Sequence, residues 1–540
     1  MKRYIKKLVN VLVYTLMICV MPSCSDSFFD KQPLDEVSDE TFWLNESDAQ
    51  MALTACYNHG YGWMGLSFWG PRPMLWLDLM AGFGSEKEEY PDSVTNGDLT
   101  SSNWVVGDYW SNTWTAIVRC NNFLDHINDI EMDDDTRERM IADIRVLRAY
   151  HYFWLAIFWG DVPLVTTVLS LEEANSVSRT DVSQIWDFVE SELSESAEVL
   201  PETVSDSELG RMTKGAAYAI LGRAQMAQEE WEAAAATYKT IIDLGVYTIQ
   251  DSFQELFWES NEYSDEIILA SQYLEDDFYH VLPQYLYPEV NGGWHQFSPY
   301  NELVERFECT DGLTIDESPL YNEDEPYENR DPRMLYTVMI NRKSSFNGQL
   351  FISEPGSGSS DAISKYSQWS GYSIAKFMDG SFDGNLMNYG GNFILIRYPE
   401  VLLSYLECML EAGETITQSL LDETVNLVRG RESVNMPAVT ETDTDELREI
   451  VRRERSTELA FEGLHYYDIL RWGIGNEELN RQFTGMKLTT DPDNYTVRSV
   501  DDDGYALCQT RVFVTGTSEL WPIPLSEIQL NSNLTQNPGY

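Results

Sequence analysis

The chain has 540 residues, 43% of them hydrophobic and 13% aromatic, which excludes a disordered polypeptide and allows a large core. Its 89 acidic residues against 36 basic ones leave a net charge of −53, a surface that repels phosphate backbones and argues against nucleic acid as a ligand.

The chain opens with a basic cluster of Lys2, Arg3, Lys6 and Lys7, followed by a mostly apolar run over 11–21. That run is too short for a bilayer-spanning helix, which needs about 20 apolar residues, and fits a signal-peptide core. It ends at Met21-Pro22-Ser23-Cys24, which resembles a bacterial lipobox, with Pro22 an imperfect residue there. The expectation is a lipoprotein signal peptide over 1–23, cleaved before a lipidated Cys24. No later segment has the uncharged length to span a membrane, so the lipid would be the only anchor. The other cysteines after Cys24 (Cys56, Cys120, Cys309, Cys408 and Cys508) show no CxxC pair and no histidines at zinc spacing, and read as isolated buried thiols.

Helical periodicity then dominates. A first helix is expected over 47–57, capped by Ser47 or Asp48. A second covers 109–127, with Trp110, Trp114, Ile117, Asn121 and Leu124 at helical spacing. A third covers 134–158 and stops at Gly160-Asp161-Val162-Pro163; a fourth covers 181–200 and stops at Pro201. Residues 213–246 read as a tetratricopeptide-like helix pair. Gly222 takes the tight-packing position, Tyr218 and Leu221 precede it, and Trp231, Ala234 and Tyr238 supply large, small and aromatic residues on the second helix. Gln225 departs from the aromatic that this repeat prefers. Residues 397–412 and 419–431 look like another pair.

Between 252 and 393 the periodicity fades into Gly, Pro, Asn, Ser and aromatic residues, with a short strand expected near 393–396. The whole reads as mostly α: tetratricopeptide-like helix pairs forming a short solenoid scaffold, with a long irregular loop-rich region and a few short strands. Residues 24–251 and 252–540 are expected to be two parts of one continuous fold, the second loop-rich and then helical.

The carboxylates Glu454, Glu458 and Glu462 recur at i, i+4 steps on one face. Glu454 and Glu458 continue the apolar stripe of Leu447, Ile450 and Val451, and are read as structural acids paired with arginines rather than a glycosidase pair. Arg145, Arg148 and Arg397 are the expected partners. No GxSxG, HExxH or Walker sequence is present, so no catalytic or metal residue is assigned and no cofactor is implied.

A series of segments, in order, resembles the SusD/RagB family of surface glycan-binding lipoproteins. They are 110–121 (WSNTWTAIVRCN), 145–165 (RVLRAYHYFWLAIFWGDVPLV), 210–215 (GRMTKG), 397–407 (RYPEVLLSYLE), 454–473 (ERSTELAFEGLHYYDILRWG) and 521–540 (WPIPLSEIQLNSNLTQNPGY). The resemblance implies four tetratricopeptide-like pairs and a non-catalytic protein anchored by lipid in the outer membrane, facing the cell exterior. It also implies a polysaccharide or oligosaccharide ligand, delivered to a SusC-like TonB-dependent β-barrel transporter. His465 stands where the family usually has arginine, which puts one local ion pair in doubt.

Sugar recognition needs flat aromatics for the apolar ring faces and amides or carboxylates for the hydroxyls. The loop after the first helix offers Trp63, Trp69 and Trp104 with Asp78 and Asn96. The later loop offers Tyr285, Tyr287 and Trp294 beside Asn291-Gly292-Gly293, which can turn a side chain outward. In the family these two regions form the ligand face. The alternatives are a surface glycoside hydrolase, marked by turnover of a polysaccharide, and a peptide-binding or protein-interaction adaptor, marked by a protein partner in place of a glycan.

Overall fold

The structure, a computed structural model, describes residues 42–58, 66–363, 370–488 and 499–540. The signal segment, Cys24 and Trp63 lie outside the described residues. Of the described residues 46% are helical and 9% are in strands, a mostly α fold.

Helix α1 (Glu46–Tyr57) begins one residue earlier than its sequence suggests. Asn45 is the cap: its side chain accepts from the amides of Ser47 and Asp48, and the Asn45 amide donates in turn to the Asp48 carboxylate. A short helix, α2 (Pro71–Asp78), opens on proline at its first position and lies in a stretch read as loop. Helix α3 (Trp104–His126) starts five residues before the periodic stripe because Asn103 accepts from the Val105 and Val106 amides. Helix α4 (Asp134–Trp159) is capped by Asp133 and ends at Gly160, whose φ of +67° lets the chain reverse. Asp181 caps α5 (Val182–Val199).

Helices α6 (Lys214–Ala227) and α7 (Trp231–Leu244) form the expected hairpin. A Cβ on Gly222 would sit 2.5 Å from Tyr238 Cζ, so only glycine allows this approach. Gln225, the departure from the repeat, accepts a 2.7 Å hydrogen bond from Thr237 Oγ1 on α7 and replaces an aromatic contact with a polar one. The second half supplies α8 (Tyr398–Glu411), α9 (Thr444–Glu458) and α10 (His465–Arg471). The single helix expected over 419–431 is two short pieces, Gln418–Glu423 and Val425–Arg429, broken at Thr424.

Strands among the described residues form five two-stranded antiparallel ladders. β1 (Gly84–Glu86) pairs with β3 (Phe297–Pro299), and β2 (Ile267–Ser271) with β4 (Phe393–Arg397), the strand expected near 393–396. β5 (Gln482–Lys487) pairs with β6 (Tyr505–Thr510). The C-terminal block returns to α4: Trp521 stacks on Phe158 at 4.2 Å, and Trp159 Nε1 donates to the Pro522 carbonyl at 3.1 Å. Of the cysteines, Cys56, Cys120, Cys309 and Cys408 are buried, whereas Cys508 is partly exposed.

Charge is buried with its partners. Glu454 accepts from Arg333 at 2.5 Å and Arg429 at 2.7 Å; Glu458 accepts from Arg397 at 2.6 Å and Arg333 at 2.8 Å. Glu462 accepts from Arg397 and Lys376. Glu454 and Glu458 are therefore structural, as their place on the apolar stripe suggests, whereas Glu462, expected on the same helix face, lies in the turn beyond the end of α9. Two expected partners are corrected: Arg145 and Arg148 pair with Glu192 on α5 instead, because they face that helix from α4. His465 is fully enclosed and stacks on Phe83 at 4.0 Å, 13° from parallel. Burial pushes its pKa well below the ordinary histidine range, which keeps the ring neutral.

Candidate functional site

The β1–β3 ladder joins the two loops that carry the candidate aromatics. Gly84, Ser85 and Glu86 face Pro299, Ser298 and Phe297, and the Lys87 amide continues the ladder by donating to the Gln296 carbonyl at 2.8 Å. The later loop folds back on itself through bonds from the Trp294 amide to the Gln284 carbonyl (2.7 Å) and from the Gln296 amide to the Tyr285 carbonyl (2.8 Å). Gly292 has a φ of +86° in open space. At Gly293 a Cβ would lie 2.0 Å from the Tyr287 carbonyl oxygen. This glycine therefore serves the chain's packing against itself.

Arg72, on α2, organises the centre. Its guanidinium carbon lies 4.7 Å from the Trp76 ring centroid and 4.3 Å from that of Tyr285, and its Nη1 donates to Tyr285 Oη at 3.0 Å. Its other nitrogens donate to Glu86 at 3.1 and 2.5 Å. Burial pushes Glu86 up to about 7, since Arg72 offsets only part of the desolvation. Outward from this centre the rings continue in both directions. Trp294 meets Tyr285 edge-on at 5.4 Å. On the other side Trp76 meets Trp104 at 6.3 Å and Tyr90 at 6.2 Å, and Tyr90 meets Trp104 at 5.0 Å. The middle of this ladder is buried and its ends are open: Trp104 is 48% exposed, Tyr90 37%, and Trp294 partly so.

Beside Trp294 lies an open depression of 570 Å³, lined by Lys87, Glu289, Gly292, Gly293, Trp294 and Gln296. It falls within the roughly 300–1,000 Å³ of small-ligand sites. Gln296 donates to Glu88 at 3.3 Å, while its Oε1 has no hydrogen-bond partner among the described residues. A second hollow, 260 Å³ between α3 and the C-terminal block, is walled mainly by apolar side chains such as Trp110, Ile117, Val165 and Leu530, and offers fewer groups for a polar ligand.

The expected residues divide. Trp104 and Trp294 stand at opposite ends of the ladder, and Tyr285 supports Trp294 from beneath, 5% exposed. Asn96 is exposed, with its Oδ1 turned to the Asp98 amide at 2.9 Å. Trp69, Asp78 and Tyr287 are corrections, because each is built into the core. Trp69 meets Tyr150 edge-on at 5.3 Å. Asp78 accepts the amides of Gly463 (3.0 Å) and His465 (2.8 Å) and is pushed up to about 7 by burial. Tyr287 accepts the Asp379 amide at 2.9 Å and packs on Phe346. Sequence reasoning missed Arg72, Trp76, Tyr90, Lys87 and Gln296. The Pro71-Arg72-Pro73 run was the one visible signal: it sets a cation at the start of a short helix.

The comparisons with known proteins agree with this fold. The sequence profile described as SusD family matches residues 262–540, and the profile described as "Starch-binding associating with outer membrane" matches 78–226. A crystal structure of a SusD-like carbohydrate binding protein from Bacteroides fragilis is 36% identical. It covers 92% of this chain and all of that one, with a TM-score of 0.87. A laminarin-binding SusD-like protein is similar in fold at 23% identity, 92% of this chain, 100% of its own and a TM-score of 0.67. SusD-like protein P25 of Formosa agariphila is 24% identical over 99% of this chain and 100% of its own.

Proposed function

The chain belongs to the SusD family, and from that membership we propose that it binds a polysaccharide or oligosaccharide at the cell surface, without cleaving it, across the ladder from Trp104 to Trp294. The observation that carries this reading is the pairing of exposed aromatic ends with the polar-rimmed depression beside Trp294. Trp104, Tyr90 and Trp294 offer faces to the apolar sides of sugar rings, and Lys87, Glu88 and Gln296 offer donors and acceptors to the hydroxyls. The ion pair of half-buried Arg72 with buried Glu86 fixes the ladder's centre, so little side-chain freedom is lost on binding.

The family resemblance extends the proposal to delivery. The bound glycan passes to a SusC-like TonB-dependent transporter, and Cys24 carries the lipid that holds the protein in the outer membrane, facing the exterior. Among the described residues no helix is long and apolar enough to cross a membrane. Two experiments test the reading. A glycan-array and affinity-gel screen of the protein lacking residues 1–24 should retain at least one glycan that elutes chemically unchanged; no retention, or cleavage during the assay, would count against it. A fatty-acid probe should label the wild-type chain and not Cys24→Ala, and equal labelling would remove the anchor.

A further inference from the structure

The loop that carries Trp294 is gripped at both ends by one buried carboxylate. Asp361 accepts the Glu289 amide through Oδ1 at 2.7 Å and the Val290 amide through Oδ2 at 3.0 Å. The same Oδ1 lies 2.9 Å from His295 Nδ1, with both side chains fully enclosed. On the far side of the ring, His295 Nε2 lies 3.0 Å from the Tyr372 carbonyl oxygen. An oxygen therefore faces each ring nitrogen of His295. The Phe351 ring meets the imidazole edge-on at 5.6 Å.

The backbone at His295 needs such a hold. Its φ is +47°, the left-handed region that non-glycine residues avoid, and it lies between two residues that line the depression, Trp294 and Gln296. The turn points Trp294 at Tyr285, while the His295 amide itself donates to the Tyr287 carbonyl at 3.0 Å. Burial alone would raise the Asp361 carboxyl, but the hydrogen bonds from His295, Val290 and Glu289 outweigh it and hold the group below the usual carboxylate range.

Resting on the glycan-binding reading, we propose that Asp361 and His295 are positioning residues for the site: together they hold the strained turn that sets Trp294 in place. Neither reaches the surface, so both act through Trp294.

The test uses the soluble protein labelled with 5-fluorotryptophan, with the Trp294 resonance assigned by its loss in Trp294→Phe. Laminarin and a panel of neutral glycans serve as probes. Asp361→Asn puts an amide where an acceptor oxygen stands. His295→Asn suits the left-handed backbone and keeps one donor near Asp361, so it is the conservative rescue. The expected result is a shifted or broadened Trp294 resonance and an affinity weaker by about tenfold or more in Asp361→Asn, against a change within about threefold in His295→Asn. A folded Asp361→Asn with resonance and affinity unchanged overturns the proposal. Should Asp361→Asn fail to fold, His295→Ala is read in its place with the same expected and overturning results. A wild-type chain that binds no glycan defeats the binding reading separately. The resonance then decides alone: moved in the variant, the pair positions Trp294; unmoved, it does not.

Discussion

Arg397 donates to Glu458 at 2.6 Å with neither side chain exposed to solvent, and Arg333 and Arg431 approach the same carboxylate. Glu458→Ala leaves three guanidinium groups short of a partner in the interior and should cost about 3–5 kcal/mol in denaturant unfolding. Burial would raise Glu458, but the arginines hold it well below the ordinary glutamate range. Its stabilisation is therefore present above the unfolded pKa, near 4.5, and is lost as the pH falls through the folded value. Unfolding followed from pH 4.5 downward should show a shallower acid slope for Glu458→Gln than for wild type; equal slopes would remove this carboxylate from the acid response.

Glu86 carries the opposite sign. Its folded pKa is raised from 4.5 to about 7, so its contribution is complete below 4.5 and is lost as the pH rises toward 7. Glu86→Gln cannot ionise, and its stability relative to wild type should climb across that window and level off above it. The full climb is about 3 kcal/mol, each unit of pKa being worth about 1.4 kcal/mol. Thermal melts at several pH values check it, and a difference independent of pH would contradict it.

Two helix glycines should respond in opposite directions to alanine. At Gly222 the new Cβ would meet Tyr238 at 2.5 Å, so Gly222→Ala should destabilise the α6–α7 pair by about 1–3 kcal/mol. At Gly107, inside α3, nothing lies within 4 Å, and Gly107→Ala should stabilise by about 0.5–1 kcal/mol through helix propensity alone. Chemical denaturation of both variants checks the pair of signs.

The site's charge favours an uncharged ligand. Arg72 is committed to Glu86, leaving Lys87 among Glu88, Glu89 and Glu289, on a chain of net charge −53. A neutral glycan should bind more tightly than its sulfated form, with a gap that narrows as salt screens the repulsion beyond about 10 Å. Affinity electrophoresis at low and high salt measures it; preference for the sulfated form at low salt would contradict this account.

Legibility in the sequence followed the range of the interactions. Helices α4 and α5 were readable because they run for several turns and stop at the Gly160–Pro163 run and at Pro201. Gly222 was readable because a glycine flanked by large residues predicts close packing, and Tyr238 fills that place. Helix α2 was missed: eight residues opening on Pro-Arg-Pro are too few for a clear period. The inward role of Glu454 and Glu458 was legible from their stripe. Their partners Arg333, Arg429 and Arg431 were not, since they come from distant segments without a local pattern. The proposed ligand face was half legible. Trp104 and Trp294, candidates from the aromatic-rich loops, stand at the open ends of the ring ladder, but β1 and β3 are three residues each and signal no pairing. Without that pairing nothing distinguishes Tyr287, which is core, from Tyr90, which is open.

The central claim is that the open ends of the ladder hold the glycan. It is tested most directly by titrating the soluble wild-type protein, Trp104→Ala and Trp294→Ala with the glycan it retains, alongside their melting temperatures. Each substitution should weaken binding by about 1–2 kcal/mol, the scale of one desolvated aromatic contact, while the melting temperature stays close to that of wild type. If both variants bind as wild type does, or lose affinity only in step with a fall in melting temperature, the aromatics are packing groups and the glycan binds elsewhere.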